Sequence, residues 1–213
     1  MRYRTLGKTG IEVSVHCLGT MMFQDGCNPD HDDCVRISHA ALDEGINFVD
    51  TADMYGQGES EEIVGKALRG RRDGVVLATK VHFPMGEGPN RGGNSRRWIL
   101  KAVEDSLRRL NTDWIDLYQV HFPDHRTDVE ETLSVLTGLV HQGKIRAFGC
   151  SNYQAEEIVE DANTRAREIR LGAEDYADEI LNTLEVNLQK FTAAVQRGRD
   201  RLAGREQEPA EVG

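Results

Sequence analysis

Basic residues are in deficit in this chain. Among 213 residues, 26 are Lys or Arg and 36 are Asp or Glu, which leaves a net charge of -10. That balance argues against non-specific nucleic-acid binding, which depends on a cation excess. Long apolar runs are missing as well: no stretch of about 18 apolar residues occurs, so no membrane-spanning helix is expected. The first residues, MRYRTLGKTG, lack the apolar segment of an export signal, and a cytoplasmic location is the expectation. The four cysteines, Cys17, Cys27, Cys34 and Cys150, form no CxxC pair. Cys27, His31 and Cys34 lie close together but match no common zinc spacing, so no metal is expected. The chain has no GxGxxG, so a Rossmann-type phosphate cradle is not expected either.

Hydrophobic residues make up 38% of the chain, enough to bury a core. Residues 2–14 read as a small β-hairpin with Gly7 and Gly10 at its turns. Residues 15–19, 47–50, 75–80, 115–121 and 147–150 read as strands. Between them, residues 32–45, 61–69, 95–110 and 129–142 read as helices, closed by Gly45 and Gly143. The run Val75-Val76-Leu77-Ala78 implies a strand buried on both faces, as in a parallel sheet. Apolar stripes are expected at Val35, Ile37, Ala40, Ala41 and Leu42 in the first helix. The second helix should carry one at Ile63, Val64, Ala67 and Leu68, and the third at Ile99, Val103, Leu107 and Leu110. Ser60, Glu61 and Glu62 open the second helix, where the macrodipole favours acids. Residues 82–94 form a long loop, and such loops are often functional. About five strand–helix units with short connections call for a parallel sheet. A complete (β/α)8 barrel needs about 250 residues, so about five units would supply only a partial barrel of this type.

From Gln154 onward the pattern changes. There is no proline before Pro209, and 14 acidic residues face 8 basic ones. Apolar residues at Ile169, Ala173, Tyr176, Ile180, Leu184, Leu188, Phe191 and Val195 recur in steps of three and four. This predicts an amphipathic helical segment over 155–205, either one long helix or two hinged near Gly172. Residues 206–213 read as a frayed end. An open parallel sheet would expose edges on its first and fifth strands. Homo-oligomer formation through the helical tail or the open barrel edge is therefore left open.

Four residues of suitable chemistry fall at strand ends. Asp50, Lys80 and His121 close three successive strands, and Tyr55 follows the first of these by a few residues, so all four converge at the carboxyl end of the sheet. Ser151 and Asn152 close the fifth strand at the same end. The segments RTLGKTGIEVS, CLGTMMF, ALDEGINFVDTADMYGQGESEEIVGKAL, VVLATKV, SLRRLNTDWIDLYQVH and GKIRAFGCSNY together resemble the aldo-keto reductases. The resemblance runs from the first residues to about Gln154.

The resemblance implies a carbonyl reductase acting on a small-molecule aldehyde or ketone, with NADPH (or NADP+ in reverse) as cofactor. It places the catalytic tetrad at Asp50, Tyr55, Lys80 and His121, with Tyr55 as general acid. An unperturbed tyrosine, with a pKa of about 10, is a weak acid. A neighbouring ammonium favours its phenolate, which is the role expected of Lys80, held by Asp50. His121 would donate a hydrogen bond to the substrate oxygen. Cofactor contacts are expected at Gly19, Thr20, Met21, Asp50, Ser151 and Asn152. The family's adenosine-binding loops follow its seventh and eighth strands, which the partial barrel does not supply. A truncated or fused reductase without turnover is thus the alternative expectation, its tail mediating packing or association.

Overall fold

In the computed structural model, which describes residues 1–205, an antiparallel pair of strands leads into a five-stranded parallel sheet. The expected frayed end, 206–213, lies outside the described residues. The pair is β1 (Tyr3–Thr5) with β2 (Glu12–Ser14). The sheet contains β3 (Leu18–Gly19), β4 (Phe48–Asp50), β5 (Val76–Val81), β6 (Ile115–Val120) and β7 (Ile145–Cys150), neighbours in chain order. Helices alternate with the strands: α1 (His31–Asp43), α2 (Glu59–Ala67), α3 (Arg96–Leu110) and α4 (Val129–His141). This is a partial α/β barrel of five parallel strands: the strand–helix alternation predicts the parallel sheet, and the resemblance implies the barrel. Among the described residues no helix is long and apolar enough to cross a membrane. Nor does any group of three or more His, Cys, Asp or Glu side chains among them suit a metal ion.

Local chemistry explains where the helices begin and end. Asp30 caps α1 by accepting from the amides of Asp32 and Asp33. Ser95 caps α3 by accepting from Trp98, and Asp128 caps α4 by accepting from Glu130. Each such cap is worth about 1 kcal/mol. Asn111 ends α3 in the left-handed conformation, at φ 50°. The α3 stripe, Ile99, Val103, Leu107 and Leu110, is buried as its spacing predicts. It packs on Leu77, Val81, Ile115 and Tyr118 of the sheet within one core cluster. Each fully buried aliphatic side chain there contributes about 1.5–3 kcal/mol.

The first helix departs from its predicted stripe. Ile37 is exposed, and the buried positions are Cys34 and Ser38. Burial of Ser38 is cheap because its hydroxyl donates to the Cys34 carbonyl at 2.9 Å, so no polar group is left unsatisfied.

Residues 1–153 form one compact unit and the chain from Gln154 a second. The second unit, taken by itself, is one continuous helix, α5 (Ala155–Arg205). It runs straight through Gly172 rather than hinging there. At 51 residues it is about 75 Å long. Ile169, Tyr176, Ile180, Leu184, Leu188, Phe191 and Val195 recur along it and are exposed.

Candidate active site

Parallel register carries the strand ends to one rim. Gly19 pairs with Asp50, Asp50 with Ala78, Lys80 with Gln119, and Gln119 with Gly149. Side chains alternate along a strand, so Lys80 and Gln119 share one face while Thr79 and Tyr118 share the other. On the first face Lys80 is buried, and its three ammonium hydrogens have three partners. Nζ donates to Asp50 Oδ2 at 2.5 Å, to the Thr51 carbonyl at 2.8 Å and to the Tyr55 hydroxyl at 3.5 Å. The other Asp50 oxygen accepts from Gln119 Nε2 at 3.2 Å. The ammonium also lies 5.2 Å from the Tyr55 ring centroid.

His121 follows β6 directly. Its amide donates to Val81 at 2.9 Å, and Asn152 Nδ2 donates to its carbonyl at 2.8 Å. Its ring meets that of Tyr55 edge-on, with centroids 5.9 Å apart. Burial pushes the His121 imidazole pKa down to about 4, helped by the nearby Lys80 ammonium and by His82. The imidazole is therefore neutral at physiological pH. Nδ1 is buried without a partner. Placing the ring proton on Nε2 leaves only a bare acceptor there, which costs less than an orphaned N–H.

Beyond the tetrad, two aromatic residues, Phe83 and Phe122, border His121. Phe83 meets it edge-on at 5.1 Å between centroids and meets Phe122 at 5.6 Å. His82 Nδ1 contacts Asn94 Oδ1 at 2.9 Å, and Asn94 Nδ2 donates to the Phe122 carbonyl at 3.0 Å. The 82–94 loop is closed on itself by the Gly93 amide, which donates to His82 at 2.6 Å. Phe122 is 41% exposed, so the border of the site is an open apolar surface.

The residues expected at the cofactor divide into two groups. Ser151 and Asn152 follow β7 beside His121. The Ser151 amide donates to Val120 at 2.9 Å, and Asn152 adopts φ 60°. Gly19 is exposed, with open space where a side chain would stand, and Met21 is 53% exposed. Thr20 differs. It is fully buried; its amide donates to Asp50, and its hydroxyl bonds to Ser60 at 2.8 Å and to the Asp50 carbonyl at 3.2 Å. Its carbonyl accepts from Ser60 Oγ at 2.8 Å. Thr20 thus ties β3 to β4 and α2, and its polar groups already have partners inside the fold. Sequence reasoning missed Gln119, Thr51 and Phe83. The only cue for Gln119 is its place two residues before His121, on the same strand face.

Comparison with known proteins gives a consistent picture. A family model described as "Aldo/keto reductase family" matches residues 17–177, a stretch that runs past Gln154 into α5. The aldo-keto reductase YhdN of Bacillus subtilis (strain 168) is 44% identical over 162 residues, covering 74% of this chain and 49% of the relative. A probable voltage-gated potassium channel subunit beta of Arabidopsis thaliana is 36% identical, covering 75% of this chain and 49% of the relative. Among solved structures, the aldo-keto reductase AKR11C1 from Bacillus halodurans, in its holo form, is 40% identical. It superposes with a TM-score of 0.67 and covers 75% of this chain and 53% of that one. The chain spans about half the length of the curated relatives it matches.

Proposed function

The chain belongs to the aldo-keto reductase family, and from that premise we propose that its rim reduces the carbonyl group of a small aldehyde or ketone. The observation that carries this reading is the position of Lys80 Nζ, shared between the Asp50 carboxylate and the Tyr55 hydroxyl. The proposed cofactor is NADPH. Asp50, Ser151 and Asn152 suit its nicotinamide end: they gather an acid, a hydroxyl and a carboxamide beside His121, with Gly19 offering open backbone nearby. When bound, NADPH supplies the hydride delivered to the carbonyl carbon. Tyr55 gives its hydroxyl proton to the carbonyl oxygen. Lys80 balances the negative charge that gathers on the phenol oxygen as that proton leaves. Asp50 and the Thr51 carbonyl hold the ammonium in place, and Gln119 holds Asp50. Neutral His121 donates from Nε2 to the carbonyl oxygen and stabilises charge growing there. Phe83 and Phe122 favour a substrate with an apolar or aromatic group next to its carbonyl. The proposed setting is the cytoplasm, in keeping with four cysteines that are all unbridged.

A second reading is favoured by one observation: among the described residues the sheet has five strands, with β3 and β7 at its two edges. Among the described residues, candidate partners are found for the nicotinamide end of the cofactor and not for its adenosine end. The protein would then hold the tetrad geometry but bind cofactor too weakly for turnover, with α5 or an open edge serving association.

Cofactor titration tests these readings. Trp98 lies buried in the core, and Trp114 precedes β6 at the end opposite His121, stacked 4.4 Å from Arg72. Neither tryptophan reports on the rim, so the signal to follow is the fluorescence of NADPH itself. Binding is expected to be weaker than about 1 μM. Sub-micromolar affinity would remove the defective-site reading.

A further inference from the structure

Behind the tetrad, on the opposite face of the sheet, lies a second set of ionisable groups that the chemistry above does not use. Glu61 of α2 is fully buried. Its Oε1 accepts from Thr79 Oγ1 at 2.6 Å, and its Oε2 is paired with Arg109 of α3 at 2.6–2.7 Å. Asp53 is also fully buried, and neither of its carboxyl oxygens has a hydrogen-bond partner. The Tyr118 hydroxyl, from β6 on the same face, is likewise buried without a partner. Arg109 is the cation of this layer, and Glu61 already engages it. Lys80, on the other side of β5, is engaged by Asp50. Two buried acids facing one available guanidinium cannot both stay ionised at small cost. Burial raises the Asp53 carboxyl to about 8; Glu61 adds to the rise, and Arg109, the Met54 amide and Lys80 oppose it.

This layer sits under the turn that carries Tyr55. Asp53 precedes Tyr55 by two residues, and its amide donates to the Lys80 carbonyl at 3.2 Å. Glu61 follows the turn at its far end. Between them Gly56, Gln57 and Gly58 all take positive φ, at 59°, 53° and 104°. Gly58 rests directly on Arg109: a side-chain carbon there would lie 2.6 Å from Arg109 Cδ. The turn thus meets the buried layer at both ends, through the Asp53 side chain and through Gly58.

We propose that Asp53 is a positioning residue for Tyr55: the 53–58 turn stays seated over Arg109 while the Asp53 carboxyl lies buried and neutral behind it, and lifting the turn into water releases the proton. This deepens the reductase reading, on which its meaning for catalysis rests. The sign follows from linkage. The lifted turn exposes an ordinary carboxyl that ionises near 3.8, while the seated turn keeps its proton to about 8. Opening therefore becomes more favourable as pH rises through that window, and levels off above it.

The test is hydrogen exchange of the 54–58 amides in the full chain, corrected for intrinsic rates and compared between the unmodified protein and Asp53→Asn. In the unmodified protein, protection should fall by up to about tenfold per pH unit between roughly pH 5 and 8. In Asp53→Asn, which carries no proton to release, protection should stay level. Flat protection in the unmodified protein would overturn the proposal, and needs no variant to observe. The same slope in both proteins would overturn it too. Exchange is read without turnover, so failure of the reductase reading would show separately, as absent carbonyl reduction with the exchange behaviour intact.

Discussion

Replacing Tyr55 with phenylalanine is expected to lower the rate of carbonyl reduction by about 10²–10⁴-fold, the usual worth of positioned proton transfer. The substitution removes one oxygen and keeps the ring that meets His121 edge-on at 5.9 Å. Lys80 keeps two of its three partners, Asp50 and the Thr51 carbonyl, so the rim should survive. The loss should therefore fall on the chemical step, with cofactor affinity and thermal stability close to those of the unmodified chain. Steady-state kinetics beside a cofactor titration separates the two. Retention of full activity would remove Tyr55 as the acid, and a collapse of cofactor binding would make its role structural.

The largest effect on stability is expected behind the sheet. Glu61→Ala strips Arg109 of its carboxylate and Thr79 of its acceptor in one step. Removing one member of a buried ion pair costs about 3–5 kcal/mol, and here Asp53, freed of Glu61 and facing the same guanidinium, offsets part of that cost. Arg109 is 19% exposed, so water can reach part of it, and the lower figure applies. For a unit of this size about 3 kcal/mol corresponds to a fall of roughly 6–12 °C in the unfolding midpoint. Calorimetry checks this. A change under about 1 °C would mean that the pair is no more than an exposed surface contact.

The two residues just discussed differ in how plainly they could be read beforehand. Tyr55, Asp50, Lys80 and His121 were legible because a parallel sheet sends every strand's carboxyl end to one rim, so residues at strand ends meet whatever lies between them. The α3 stripe was legible for a similar reason, since Ile99, Val103, Leu107 and Leu110 repeat with the helix. Glu61 was misread. An acid in the first turn of a helix looks like a solvated partner of the macrodipole, and only tertiary packing reveals that Arg109, 48 residues away, buries it. Thr20 was expected at the cofactor because it ends a strand at the correct rim. Its hydroxyl is turned inward to Ser60 instead, a contact 40 residues distant that no local pattern encodes. Ile37, expected in the core, is exposed, and Ser38 beside it can be buried because its hydroxyl is satisfied by the Cys34 carbonyl. Gln119 and Phe83 reach the rim through tertiary geometry rather than through a motif, contacting Asp50 and His121.

The catalytic reading is tested most directly by single-turnover transfer of deuterium from labelled NADPH to an aromatic aldehyde, with the chain in excess and the cofactor near saturation. Weak binding is bypassed under these conditions, so only the chemistry of the rim is measured. Labelled alcohol is expected from the unmodified chain, with little or none from Tyr55→Phe. Bound cofactor and substrate with no deuterium transferred by the unmodified chain would contradict a working reductase site.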